Sequence, residues 1–469
     1  MIGWRQAPAG MKLAFCPDKL CRQGWFLLVA LLASGLAMLP GVAAAISAPP
    51  YGLDACPPAP PYLQMPARAS GIIPPRLSQT GVFQNLSGLV PNDSLIPYDL
   101  IVAFWSDGAA KSRWMSFPPG KIKFAPAGEW VFPRGTVFVK HFEIGTDETH
   151  PEIRRRLETR LLVCDADGGV YGVTYKWRAD NRDADLLATN LTEPISIKTA
   201  TGQRTQTWYY PSRQDCLTCH TANAGYVLGV KTRQLNHRFG YPSGVTDNEL
   251  RVWNHLGLLD TNLDESMLDD LPRLARADDL TRSLADRARS YLDANCSHCH
   301  RPRGTVAYFD ARYDETLARQ NLINGPVLID ERLDHPRVIA PNDIWRSVLL
   351  LRIDTTEAFK MPPLARNTID EAGVKLLRQW IESLPGPPVL PPPEISPRGG
   401  KFDRPVTVTL RSEPGAEIRY TLDGTVPSHS DLRYENPVQL AGPVILRAKA
   451  FMPGFTRSIT AQEIFIIGE

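Results

Sequence analysis

Two five-residue segments, Cys216-Leu-Thr-Cys219-His220 and Cys296-Ser-His-Cys299-His300, hold the residues best suited to chemistry. Each sets two thiols three positions apart and places an imidazole directly after the second. This is the spacing of covalent haem attachment. Two thiols add across the two vinyl groups of one porphyrin, and the histidine turns onto its iron. Composition alone yields the pattern about 0.003 times in a chain of this length, so two copies predict two covalently bound c-type haems.

Zinc and thiol redox chemistry are the competing readings. A zinc ribbon sets its Cys-x-x-Cys pairs roughly 15–20 residues apart, whereas Cys219 and Cys296 lie much farther apart. A histidine immediately behind the second cysteine suits haem better than tetrahedral zinc. A redox pair of the thioredoxin kind wants a βαβ setting, which the pattern lacks. His220 and His300 are therefore the expected proximal ligands. His298, between the two cysteines of its motif, is expected to be exposed and not a ligand.

The sixth ligand decides whether such an iron moves electrons or does chemistry. For the second motif the candidate is Met361, whose two following prolines make a rigid loop presenting a thioether. For the first motif the leading candidate is His255, on a helical stripe with Val252, Leu256 and Leu259, a place that equally suits a core histidine. His237, Met267, His141, His150 and an open position remain alternatives.

The surrounding elements are read from composition and periodicity. Residues 1–45 read as an export signal: Arg5, Lys12, Lys19 and Arg22 precede the apolar run Trp25 to Leu39, and Ala43 to Ala45 offer a cleavage site. The run is short of the roughly 20 residues that span a bilayer, so cleavage near Ala45 and a periplasmic location are expected. Residues 46–94 form a Pro-rich lead-in. Residues 95–210 read as a β-rich domain, with "LETRLLVC" and "VYGVTYKW" flanking the turn "DADGG". This region is either a docking surface or a scaffold for the first haem.

Helical signals take over afterwards. Thr246 with Glu249, and Thr368 with Glu371, have capping-box spacing. Leu284, Ala288, Tyr291 and Leu292 form a stripe leading into Cys296, and Val374, Leu377, Trp380 and Ile381 form another. Residues 211–280 are thus assigned to a first haem region and 281–384 to a second haem domain. A Pro-rich spacer at 385–394, about 3 Å per residue, precedes a separate β module at 395–469. The predicted fold class is multidomain: a β-rich N-terminal domain, a mainly α-helical cytochrome c-type haem region and a small C-terminal β-sandwich.

The formal charge of +2 and the absence of a long basic run exclude a case for nucleic acid. Cys56 and Cys164 remain outside the motifs. They either pair across a long loop, worth about 4–5 kcal/mol in the chain-entropy model, or stand as two unrelated thiols.

The segments "WYYPSRQDCLTCHTANAGYVLGVKTRQLN", "LRVWNHLGLLD", "SLADRARSYLDANCSHCHRPRG" and "MPPLARNTIDEAGVKLLRQWIESL" together resemble a family of exported dihaem c-type cytochromes, over roughly residues 75 to 385. The resemblance supports His255 near "NHLGL" and implies electron transfer between periplasmic redox proteins, often beside a dehydrogenase. The tail, with "AEIRYTLDGTVPS" and "ILRAKAFMPGFTRS", resembles the Ig-like module at the C-terminus of chitobiase-type hexosaminidases. There it is an accessory domain, so glycosidase activity is not implied. The leading expectation is an electron relay, and whether the chain is also an enzyme stays open. The alternatives are a dihaem peroxidase-like enzyme, and a surface-attachment protein whose tail grips a glycan or cell-surface partner.

Overall fold

β-branched and aromatic residues recur along residues 83–210, and the chain folds there largely as antiparallel sheet. The computed structural model describes residues 50–329 and 333–468; the expected export signal at 1–45 and the first residues of the lead-in lie outside the described residues. A short hairpin, β1 (Phe83–Asn85) with β2 (Val90–Pro91), comes first. Then β3 (Leu95–Pro97), β4 (Ala110–Ser116), β5 (Val137–Gly145), β6 (Arg154–Cys164), β7 (Val170–Trp177) and β8 (Ala184–Leu186) make a six-stranded antiparallel sheet in chain order. A second hairpin, β9 (Leu191–Thr199) with β10 (Gly202–Tyr210), leads to the first motif.

Side chains alternate between the two faces of a strand, and the two faces of this sheet differ. Val137, Val139, Leu161, Val163 and Val173 pack on one face against Leu77, Val82 and Phe83 of the lead-in. The lead-in is therefore part of the core. The opposite face carries Met115, Phe138 and Leu162, which pack with Trp130, Leu250 and Trp253 from later in the chain. Beside that apolar row the same face carries charged residues and bounds a cavity.

The expectation of a mainly helical haem region is not met. Helices account for 16% of the described residues and strands for 29%. The helices are α1 (Arg213–Cys219), α2 (Thr232–Leu235), α3 (Glu249–His255), α4 (Leu284–Asn295), α5 (Leu317–Gln320), α6 (Val348–Ile353) and α7 (Glu371–Ser383). Only α1, α3, α4 and α7 reach seven residues, and a small pair of strands, β11 (Arg238–Gly240) and β12 (Thr246–Asn248), lies among them. The apolar stripes on α4 and α7 are real, and both helices bury them in one cluster with Val338, Ile339 and Leu350. Between them, left-handed residues at Arg303, Asn321, Asn324 and Asn342 turn the chain repeatedly. Single helical turns gain little by themselves, so these connections stay irregular.

Residues 394–467 form two packed sheets. One joins β13 (Glu394–Ser396), β15 (Val406–Arg411) and β18 (Val438–Leu440). The other joins β14 (Gly400–Phe402), β16 (Glu417–Thr421), β17 (Leu432–Arg433), β19 (Val444–Phe451) and β20 (Ala461–Ile467). Val408, Leu446, Ala448 and Phe465 fill the space between them. The Pro-rich stretch before this sandwich is packed, not a free spacer: Leu390 is fully buried, and its amide donates to the Thr456 carbonyl at 3.0 Å. Asp334 accepts from Lys449 Nζ at 2.6 Å and Thr460 Oγ1 at 2.8 Å, fixing the sandwich to the second motif region. Among the described residues no helix is long and apolar enough to cross a membrane.

Candidate functional site

Both Cys-x-x-Cys-His segments face one cavity of about 2050 Å³, counted out to its mouth. Phe138, Lys140, Arg160 and Leu162 of the sheet form one wall, and the segments around 291–301 and 361–366 form others.

The first motif is positioned by the end of β10. Ser212 and Asp215 close a capping box, with the Ser212 side chain accepting from the Asp215 amide and the Asp215 carboxylate accepting from the Ser212 amide. Tyr209 donates to the same carboxylate at 2.8 Å, and Thr174 Oγ1 donates to the Pro211 carbonyl at 2.9 Å. These contacts start the helix that carries Cys216. Its thiol lies directly on Gly172 of β7, where any added Cβ would come within 2.6 Å of the sulfur. Glycine is needed there for close approach.

His220 ends α1. Its Nδ1 lies 2.6 Å from the Tyr226 carbonyl, and since a carbonyl can only accept, Nδ1 carries the proton. Nε2 is left with its lone pair, the orientation that such supporting hydrogen bonds impose on ligating histidines. Burial pushes the imidazole down to about 4, so it is neutral and available as a donor at neutral pH. His300 is likewise pushed down to about 4 by burial. It stacks on Phe309 with centroids 4.3 Å apart, and its Nδ1 is buried without a partner.

The second motif borders a further cavity of about 800 Å³, lined by Cys296, His300, Phe309, Leu349 and Met361. His300 and Met361 are thus brought to the same space. Met361 is held by its amide, which donates to the Arg352 carbonyl at 2.8 Å. The loop behind it is fixed by Asp107, which accepts from the amides of Asn367 and Thr368, both at 2.9 Å, and from the Thr368 hydroxyl.

Charged residues hold the two motifs together. Asp293, fully buried on α4, pairs with Arg233 at 3.0 Å and Lys231 at 3.2 Å. Those two cations hold its carboxyl well below the usual carboxylate range despite its burial. Arg301 donates to the Asn223 carbonyl at 2.9 Å and to Glu129 at 2.7 Å. Cys219 and Cys299 line the same cavity between these ion pairs. Donation from Cys219, with His298 beside it, pulls the Cys299 thiol below its ordinary range.

His255 is not brought to the cavity. It is exposed at the end of α3, stacks on Tyr51 with centroids 3.6 Å apart and lies 3.2 Å from the Asp54 carbonyl. The other candidates for the first motif also lie elsewhere. His237 pairs with Glu249 at 3.0 Å, His141 is bonded to Thr159 within the sheet, and Met267 and His150 are largely exposed. His298, expected at the surface, is instead buried with its edge toward Phe104. Cys56 and Cys164 are separate free thiols, and burial pushes Cys164 up to about 12. Asp107, Asp293 and Lys140 were not expected as site residues. Only Lys140 had a local signal, a lone cation in the strand "VFVKHFEI" whose neighbours are nearly all buried.

Two soft thiols and a neutral imidazole per motif would suit a covalent haem, and the Met361 thioether, which lines the same cavity as His300, would be available as a further ligand. Among the described residues no group of three or more His, Cys, Asp or Glu is arranged to hold a bare metal ion. Residues 397–462 match the chitobiase/beta-hexosaminidase C-terminal domain family. That match covers the sandwich and leaves the cavity outside it. No curated protein is similar enough to the chain to count as a match.

Proposed function

We propose that the chain is an exported dihaem c-type cytochrome that relays electrons between a periplasmic donor, such as a dehydrogenase, and a downstream acceptor. The observation that carries this reading is the convergence of both Cys-x-x-Cys-His motifs on one cavity. Haem supplies reversible one-electron chemistry at iron. The chain's own part is attachment, ligation and exclusion of water. Cys216 and Cys219 hold one group, and Cys296 and Cys299 the other. His220 and His300 each offer a neutral nitrogen. Met361, lining the same cavity as His300, would offer a thioether to that group, and such ligation would raise its potential.

Intact mass of protein matured in the periplasm tests the attachment directly. Two haem additions are expected, falling to one in a Cys296→Ser, Cys299→Ser protein. An unmodified mass in the wild type would overturn the reading.

A dihaem peroxidase is the second reading. It is favoured by one observation: none of the sixth ligands expected for the first motif from elsewhere in the chain reaches the cavity. Sustained peroxide turnover by the half-reduced holoprotein would support it, and its absence in both the oxidised and half-reduced forms would remove it.

A further inference from the structure

Three cations stand side by side across the sheet. Arg113 on β4 faces Lys140 on β5, and Lys140 faces Arg160 on β6. All three line the large cavity. Like charges directly opposite one another on neighbouring strands are destabilising, so such a row needs counter-charge. Arg160 has it from both oxygens of Glu158, at 2.6 and 3.0 Å. Arg113 has only half of it. Its Nη1 donates to Asp99, whereas its Nη2 is buried with no partner on a side chain that is 4% exposed. Lys140 has no carboxylate partner among the described residues; its ammonium lies 5.1 Å from the centre of the Phe142 ring. Burial and the neighbouring cations Arg113, Lys111 and Arg160 push its amine well below the ordinary lysine range.

The neighbouring row on the same face is apolar. Gly172, Leu162 and Phe138 stand in register and also line the cavity. Cys216 rests on Gly172. Strands are about 4.8 Å apart, so β5 lies about 10 Å and β4 about 14 Å from the strand under Cys216. An occupant tethered at Cys216 therefore meets apolar surface first and incompletely paired cations at its far edge. A haem has this layout: vinyl carbons that bond the cysteines along one edge, a flat apolar ring, and two carboxylates along the opposite edge.

We propose that Arg113 and Lys140 form the carboxylate-binding site for the haem tethered by Cys216 and Cys219. The proposal rests on the dihaem reading. Arg113 Nη2 and Lys140 Nζ supply the two donors, and the incoming carboxylates supply the charge that the row lacks.

The test uses full-length holoprotein with Lys140→Met and Lys140→Arg. Mass first reads the number of haems. An unmodified wild type would end the dihaem reading itself, a failure distinct from that of the carboxylate site. With two haems present, Lys140→Met should make reduction of the first haem about tenfold less favourable, a fall of about 59 mV for one electron. The wave linked to Met361 should move less. Lys140→Arg should restore the wild-type value. An unmoved first wave in Lys140→Met would overturn the assignment. So would a saturable response of the wild-type spectrum to added acetate or phosphate that Lys140→Met abolishes, because the site would then take a free anion.

Discussion

Met361 and His255 carry the same expectation from sequence, an axial ligand, and have opposite surroundings in the fold. Met361 borders the cavity beside His300, whereas His255 lies on the surface against Tyr51. The stripe of Val252, His255, Leu256 and Leu259 assumes a helix that continues, but α3 ends at His255 and Gly257 turns the chain at φ +65°. Leu258 and Leu259 then reach the core by that turn, without carrying His255 with them. The two cysteine–histidine motifs were legible as motifs because their spacing is local. The sixth ligand was not, because it depends on packing between distant segments. Met361→Ala should remove the weak far-red band of Met-ligated ferric haem and lower that site's potential by roughly 0.1 V or more, within the ~0.8 V that axial ligands span. His255→Gln should leave haem content and both potentials unchanged. Visible potentiometric titration of the two variants checks both outcomes.

At the scale of elements, the sequence located helices better than it located their caps. Thr246 has capping-box spacing to Glu249, yet it belongs to β12, and Asn248 is the residue that caps α3. Glu249 is instead buried and paired with His237, accepting from the Asp99 amide. At α7 the cap is likewise Asp370 and not Thr368, whose hydroxyl is spent on Asp107. In each case a long-range partner outcompetes the local one. α4 depends on such a partner too, since Asp293 is its only link to Arg233 and Lys231 by ion pairs. Asp293→Ala takes one of two carboxylate partners from each of these buried cations, Arg233 keeping Asp314 and Lys231 keeping Glu129, and should cost about 1.5–3 kcal/mol, the worth of the charged hydrogen bonds lost, measured by urea unfolding. The depressed carboxyl sets the sign of the pH dependence. The unfolded chain binds the proton more readily, so the contribution is full above about pH 4 and is lost as pH falls further. The slope of wild-type stability against pH below 4 should be smaller in Asp293→Ala. Equal slopes would mean that this carboxylate is not what the two cations hold.

For the whole molecule, segments read from composition as linkers have a different character in the fold. The lead-in and the Pro-rich stretch are built into the core through residues such as Leu77 and Leu390. The region expected to be helical is mostly loop around a cavity. Periodicity reports the face of a single element; it carries no information on segments whose shape is set by what they enclose. The C-terminal sandwich was legible because its own pattern of strands and turns sufficed. Its docking through Asp334, Lys449 and Thr460 was not. Deleting residues 395–469 should therefore lower stability by about 2 kcal/mol or more, the worth of the charged hydrogen bonds lost, while both haems stay attached. A truncated protein with the unfolding midpoint of the full chain would show the sandwich to be a mere appendage.

The central claim is that one cavity holds two redox groups in direct communication. Potentiometric titration of the visible spectrum of the full-length periplasmic protein tests it most directly. Two one-electron waves are expected, the upper one carrying the Met361-linked band. A chain with no redox-active chromophore, or with a single wave that survives replacement of either cysteine pair, would contradict it.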